Sequence, residues 1–283
     1  MPERQSVEEV IRMPDAATGK DRQFVTALAR GLEILRCFNP GERFLGVSEL
    51  SRRTGLPKPT VSRLAGTLTK LGYLSFSGHY GQYQLAPGVL SLGYAFLSNI
   101  DVRQIARPMM QEIADLSQVS TSLAIRDRLN LVYVETVRSS ASIALQLGIG
   151  SRLPMATTAT GRAYLAGCIP REREILIAQL KKQDAENWPA ISAGIEQAMK
   201  DYKDRGFCIS FKEWNRDVSG VGVPFLAPDG TLMVFNCGGP AFLLQRKKLV
   251  DEVGPRLVAL VGRVSKAMGR PIKDLHMTTR NEV

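Results

Sequence analysis

Imidazole is nearly absent from this chain, and paired cysteines are absent altogether. His79 and His276 are the two histidines in 283 residues, and Cys37, Cys168, Cys208 and Cys237 lie far apart with no Cys-x-x-Cys pair. A structural zinc site draws several thiolates or imidazoles from short spacings, so no metal and no cofactor are expected. Thiols buried in a reducing compartment account for the cysteines. No Gly-x-Ser-x-Gly elbow or Walker loop occurs, and Gly220-Val221-Gly222 is a two-glycine fragment. Acid–base catalysis would fall to isolated carboxylates such as Glu135, Glu213 or Asp217, which usually serve as surface charges. The chain is not expected to be an enzyme. No apolar run approaches the roughly 18 residues of a membrane span. Residues 1–30 carry Glu3, Glu8, Glu9, Asp15 and Asp21 and no leader-like apolar stretch. A soluble, cytoplasmic protein with no membrane partner is expected.

Acidic residues are also in deficit, 27 against 37 Lys and Arg. The imbalance is local. Residues 1–21 are net −2, residues 22–85 are net +6, and residues 86–283 are net +6 over three times the length. A basic excess concentrated in one short region is the electrostatic footprint of a head that meets a polyanion. The length suits two domains.

Residues 1–21 are polar and interrupted by Pro2, Pro14 and Gly19, which reads as a flexible tail. Phe24, Leu28, Leu32 and Leu35 then recur at helical spacing until Asn39-Pro40-Gly41. Ser48 suits an N-cap for a short helix over Glu49–Thr54 with Leu50 inward. Gly55-Leu56-Pro57 forms a turn. Pro57 and Pro59 flank the start of the next helix, where proline is tolerated. Val61, Leu64, Leu68 and Leu71 give it one apolar stripe. At about 100° per residue the opposite face carries Pro59, Ser62, Arg63, Gly66 and Lys70. Lys58 and Thr69 flank one side, Thr60 and Thr67 the other. A mid-helix glycine costs about 1 kcal/mol relative to alanine. Close approach to a groove wall would explain Gly66; a solvated face with an incidental glycine is the alternative. Two short helices joined by a glycine-containing turn, the second basic outside, suit a helix-turn-helix centred on Val47–Leu71. Strand-like alternation in Tyr73–Phe76 and Tyr83–Leu85 around Ser77–Gln82 adds a wing. His79 and Tyr80 at its tip read as backbone contacts or as plain loop residues. Arg52 and Arg53 read as phosphate clamps or as solvated surface.

Beyond Leu85-Ala86-Pro87-Gly88, a stripe of Val89, Leu92, Phe96 and Leu97 marks a linker helix expected to pack against a partner subunit. A second helix follows with Ile105, Met109, Ile113 and Leu116 inward. Strands are expected over Thr121–Arg126, Leu131–Val137, Ile143–Leu147, Phe207–Phe211, Gly222–Leu226 and Leu232–Asn236, the last two joined by Pro228-Asp229-Gly230. Helices are expected over Ala159–Ala166, Arg171–Leu180, Ile191–Arg205 and Gln245–Met268. Antiparallel strands with helices before and after indicate an α+β sensor-like body. The resulting domains are a tail (1–21), a winged helix-turn-helix (22–85), a linker helix (86–103), an α+β body (104–270) and a C-terminal tail (271–283).

This order resembles the IclR family of bacterial regulators. Gly150-Ser151-Arg152-Leu153-Pro154-Met155-Ala156-Thr157-Thr158-Ala159-Thr160-Gly161-Arg162-Ala163-Tyr164-Leu165-Ala166 is similar to that family's most recognisable stretch. Gly206-Phe207 and the strands up to Cys237-Gly238-Gly239-Pro240 match its second signature. The resemblance implies a GAF-like domain that binds a small organic effector and oligomerises, as a dimer or a dimer of dimers. Carried over by position, it implies a pocket lined by Met155, Ala159, Thr160, Ser210, Val221, Asn236 and Gly238. For each of these, ordinary core packing is the alternative. A helix N-terminus with free N–H groups suits a carboxylate. Family members that bind small oxo-acids commonly place an acid where Ser210 stands, so the ligand here is expected to differ. The partly apolar lining (Met155, Val221, Trp214) favours an aromatic acid. The expected function is a ligand-responsive, sequence-specific regulator, repressor or activator, that reads a pseudo-palindromic operator of a catabolic operon. A non-specific architectural DNA binder and an enzymatic body are the competing readings.

Overall fold

The computed structural model describes residues 23–139 and 147–269. The expected tails, and most of the strand expected over Ile143–Leu147, lie outside these residues. The chain divides into two compact units at Ile100/Asp101.

The head begins with α1 (Thr26–Arg36), α2 (Val47–Thr54) and α3 (Lys58–Lys70). A two-stranded wing of β1 (Leu74–Ser77) and β2 (Gln82–Leu85) follows, then α4 (Pro87–Ser98). Its core gathers Ile34, Leu45, Leu50, Val61, Ala65, Leu68, Leu74 and Tyr83. Three sequence expectations change here. Phe24, Leu28 and Leu32 are exposed and α1 buries Gly31 and Ile34 instead, because the small core meets the helix one residue step around from its largest apolar stripe. Ser48 is not an N-cap: α2 starts after Gly46, with no side-chain cap. Leu71 is exposed and Ala65 takes its place inside. Gly55, at φ +70°, makes the turn between α2 and α3 in the left-handed region that favours glycine. α3 closes in a Schellman motif, with Tyr73 N–H on the Leu68 carbonyl (2.9 Å) and Gly72 N–H on that of Thr69 (3.1 Å). No residue of α4 is buried.

The body begins with α5 (Asp101–Ser117), β3 (Ser120–Asp127), β4 (Asn130–Val137) and β5 (Arg152–Pro154). Then come α6 (Ala159–Gly167), α7 (Pro170–Gln183), α8 (Trp188–Arg205) and the strands β6 (Cys208–Phe211), β7 (Val218–Leu226) and β8 (Leu232–Pro240). A short α9 (Arg246–Lys248) passes through a π-helical turn into α10 (Gly254–Ala267). The sheet is antiparallel, in the order β5-β4-β3-β8-β7-β6. Alternation along β8 separates its faces. Val234 joins the core shared with α6 and α8, whereas Cys237 meets Ser117 of α5.

The inward face of α5 is Val102, Ala106, Met110, Ile113, Ala114 and Ser117, and Leu116 is exposed. Counting only large apolar residues had placed this face one step off, because small residues make half the contact. The expected last helix is helical throughout 246–267, and it widens to a π-turn over Leu249–Val253, next to Pro255, which has no N–H to donate. β5 had no counterpart among the expected strands.

Arg53 staples the head together. Its guanidinium donates to both carboxylate oxygens of Glu42 (2.7 Å each), to Glu49 Oε1 (2.6 Å) and to the Cys37 carbonyl (2.7 Å). These bonds join the end of α1, the following loop and α2, so Arg53 is spent internally and is not placed to clamp a phosphate. Hydrogen bonds from Arg53 and Asn39 hold Glu42 at about 2. Hydrogen bonds from Arg52 and then Arg53 hold Glu49 at about 2. Both folded values lie below the ordinary 4.5, so the staple contributes its full stability above that value. It loses that contribution as pH falls from 4.5 through 2. Acid titration of the thermal midpoint should therefore fall less steeply in Arg53→Gln than in the parent chain over this window, and added salt should narrow the difference.

Candidate DNA interface and ligand cavity

α3 presents an exposed face free of acids. Lys58, Ser62, Arg63, Thr67 and Lys70 are exposed, and Thr60 and Gly66 are half-exposed. Thr67 Oγ1 donates to the Arg63 carbonyl at 3.1 Å, leaving its lone pairs outward. A Cβ on Gly66 would meet nothing within 4 Å, so the packing of the head does not require glycine there. Arg52 pairs with Glu49 at 2.6 Å but remains 72% exposed. His79 stands exposed at the wing tip, its ring 4.7 Å from Tyr80. Tyr80 in turn packs 4.9 Å from Phe44, which Arg43 covers at 4.9 Å. Leu45 bridges to Tyr83 and draws this segment onto the wing. Sequence reasoning missed Arg43 and Phe44, which no periodic pattern marks.

The body holds a cleft of roughly 480 Å³, counting its open mouth, where α6 begins over β7 and β8. Close packing fixes its floor. A Cβ on Gly222 would lie 2.6 Å from the Ala159 carbonyl, and one on Gly161 would collide with the Met155 backbone. Thr158 caps α6, its Oγ1 accepting from Gly161 N–H at 3.0 Å and donating to the Pro154 carbonyl at 2.7 Å. The N–H groups of Ala159 and Thr160 lie in the first turn, where a helix offers them no acceptor.

Of the positions expected to line this cleft, Ala159, Thr160, Ser210, Asn236 and Gly238 do so. Met155 and Val221 do not. Met155 is wholly buried in the core beneath α6. Val221 follows Gly220 on β7, so alternation turns its side chain to the other sheet face, where it is also wholly buried. Ser210 is committed to the Thr157 carbonyl at 2.8 Å. The lining adds Tyr133, Thr158, Trp214, Ser219 and Gly220, with Leu147, Leu153 and Val218 as apolar wall. Of these, Trp214 alone was foreseen.

Tyr133 OH donates to Asn236 Oδ1 at 2.6 Å. Burial pushes its phenol well above the ordinary range, which keeps it a neutral donor. The Thr160 hydroxyl is buried in the cleft without a hydrogen-bond partner, whereas Ser219, opposite Gly239 in the register, turns its hydroxyl to the other sheet face. Among the described residues that line the cleft none is Lys, Arg or His, so they would hold an anion by neutral donors and a helix end.

A model of the IclR helix-turn-helix domain matches residues 27–78. A model of the bacterial transcriptional regulator IclR C-terminal domain matches residues 94–261. The chain is 35% identical to the HTH-type transcriptional regulator TsaQ1/TsaQ2 of Comamonas testosteroni, over 93% of this chain and 96% of that one. It is 30% identical to the Pca regulon regulatory protein of Pseudomonas putida, over 86% and 84%. The crystal structure of an IclR family transcriptional regulator from Brucella abortus, 45% identical, superposes with a TM-score of 0.83 over 94% of this chain and 99% of that one.

An unpartnered buried hydroxyl costs about 1–3 kcal/mol. Thr160→Val, which keeps the shape and removes that hydroxyl, should raise the stability of the ligand-free protein by about 1 kcal/mol in urea titration. A loss of that size would mean the hydroxyl is already satisfied.

Proposed function

As the chain belongs to the IclR family of bacterial transcriptional regulators, we propose that α3 reads an operator and that a small aromatic acid in the cleft controls the reading. The observation that carries this is the pairing of an acid-free basic helix face with a cleft of unpartnered neutral donors. Ser62, Arg63, Gly66 and Lys70 meet the major groove, flanked by Lys58, Thr60 and Thr67; Arg52 and His79 contact the phosphate backbone. Gly66 lets the helix backbone approach the groove wall.

The acid places its carboxylate at the Ala159 and Thr160 N–H groups and the Thr160 hydroxyl. Its ring lies among Trp214, Leu147, Leu153 and Val218, with the Tyr133–Asn236 pair available to a ring substituent. The chain acts as a homodimer, and further as a dimer of dimers, on a pseudo-palindromic site. The exposed Leu28 and Leu32 of α1 and Leu90, Leu92, Tyr94 and Phe96 of α4 favour a partner copy over water. The head spans 22–85, the linker 86–103 and the effector domain 104–270. The function is control of a catabolic operon rather than catalysis, and the effector acts by binding one arrangement of the heads more tightly than another.

Footprinting and gel shifts on the upstream region of the chain's own operon test the reading. Arg63→Ala should weaken specific binding about tenfold or more, the worth of a good base contact. Gly66→Ala should stabilise the free helix by about 1 kcal/mol yet weaken operator binding. An unchanged footprint and affinity in both would remove α3 from the interface. Calorimetry with benzoate, 4-hydroxybenzoate and pyruvate tests the ligand class; pyruvate binding without either benzoate would overturn the aromatic assignment.

A further inference from the structure

Arg162 is a buried charge that the cleft does not use. It lies within α6, 2% exposed, and is not among the lining residues. Its Nε donates to the Ala156 carbonyl at 3.1 Å and its Nη2 to Glu213 Oε2 at 2.6 Å. Gly194 of α8 leaves room for this contact, since a Cβ there would collide with the guanidinium and lie 2.8 Å from Glu213 Oε2. Three elements therefore converge on one ion pair: the start of α6, the middle of α8 and the β6–β7 loop.

The loop is the asymmetric member. Residues 212–217 are exposed except Trp214, which is half-buried and lines the cleft. The loop base is fixed by Lys212 N–H on the Val218 carbonyl (3.1 Å) and Ala241 N–H on that of Asp217 (2.8 Å). Arginine cannot shed its proton, and Arg162 is sealed from water, so its charge needs a partner in the interior. Glu213 is 41% exposed and can be solvated when it leaves. The arginine is thus a fixed post and the glutamate a movable tether. Separating them would strand a buried cation, which is strongly disfavoured.

We infer that Glu213 is a positioning residue whose ion pair with Arg162 holds the 212–217 loop down and seats the Trp214 indole on the cleft. Its consequence for ligand affinity rests on the reading of the cleft as an effector site, and it reaches the ligand through Trp214 rather than by touching it.

The test uses the full chain with Trp188→Phe, so that fluorescence reports Trp214, one of two tryptophans. Glu213→Gln keeps the size of the side chain and removes its charge. It should shift the emission to the red, raise acrylamide quenching, and raise the Kd for 4-hydroxybenzoate about tenfold. Glu213→Asp, which keeps the charge, should recover part of the protection from quenching. Should Trp188→Phe destabilise the chain, the 19F resonance of 5-fluorotryptophan at position 214, assigned by its loss in Trp214→Phe, gives the same comparison. Unchanged emission, quenching and resonance in Glu213→Gln would overturn the proposal. If benzoate and 4-hydroxybenzoate both fail to bind the parent, the aromatic-acid reading falls, while the Trp214 signal still decides the tether.

Discussion

The body depends on how closely α6 lies on the sheet. Helix and strand backbones approach at Gly222, where any side chain would meet the Ala159 carbonyl, and the preceding loop tucks in at Gly161 against Met155. A helix held this near a sheet cannot shift its first turn without opening the core that contains Met155, Ala163 and Leu165. The Ala159 and Thr160 N–H groups therefore face the cleft in a fixed direction before any ligand arrives. Preorganised donors of this kind spare a ligand the cost of ordering its own site. Thr158 reinforces the arrangement by satisfying Gly161 N–H, which leaves the two donors before it as the unspent ones.

The same economy of space appears in the head, by a different device. There the core is small, and ionic bonds supplement it. Arg53 joins three segments that also share the core of Ile34, Leu45 and Leu50, and its partners are partly exposed. Solvent weakens such pairs individually, but a fork that satisfies two carboxylates and a carbonyl at once gains from shared geometry. The consequence for function is a division of labour among cations. Arg53 ties α2 to the end of α1 and the loop after it, whereas Arg63, Lys58 and Lys70 are exposed.

Much of this was legible in the sequence. The helix-turn-helix, the wing, the α6 segment and the β7–β8 hairpin followed from periodicity, glycine and proline placement, because local spacing determines them. Two of the errors share a cause, that large apolar residues were assumed to point inward: in α1 they point outward, and in α5 small residues make half of the buried face. Arg53 could not be told from Arg52 by sequence, since its fate depends on Glu42, eleven positions away in another segment. The cleft was legible from the family signature only where it touches α6, β6 and β8. Tyr133, Ser219 and Gly220 come together through the β4-β3-β8-β7 strand order, which no local pattern encodes. Val221 was misplaced by a single step of strand alternation.

Magnitudes decide whether such a cleft could drive a switch. Allosteric coupling between two sites typically amounts to about 1–3 kcal/mol. A buried hydroxyl left without a partner costs about 1–3 kcal/mol, and Thr160 stands in that condition in the cleft. A ligand that satisfies it in one state of the body and not in another would recover a difference of the same size as the coupling required. Affinity alone would not suffice, because a ligand bound equally in both states shifts nothing. The neutral donors thus bear on discrimination more than on strength. A cation in the lining would hold an anion in either state across several ångströms, whereas a hydroxyl or helix N–H rewards it only at hydrogen-bond distance. A cleft without cations makes ligand binding sensitive to small displacements of its walls, which is what a ligand-responsive regulator requires.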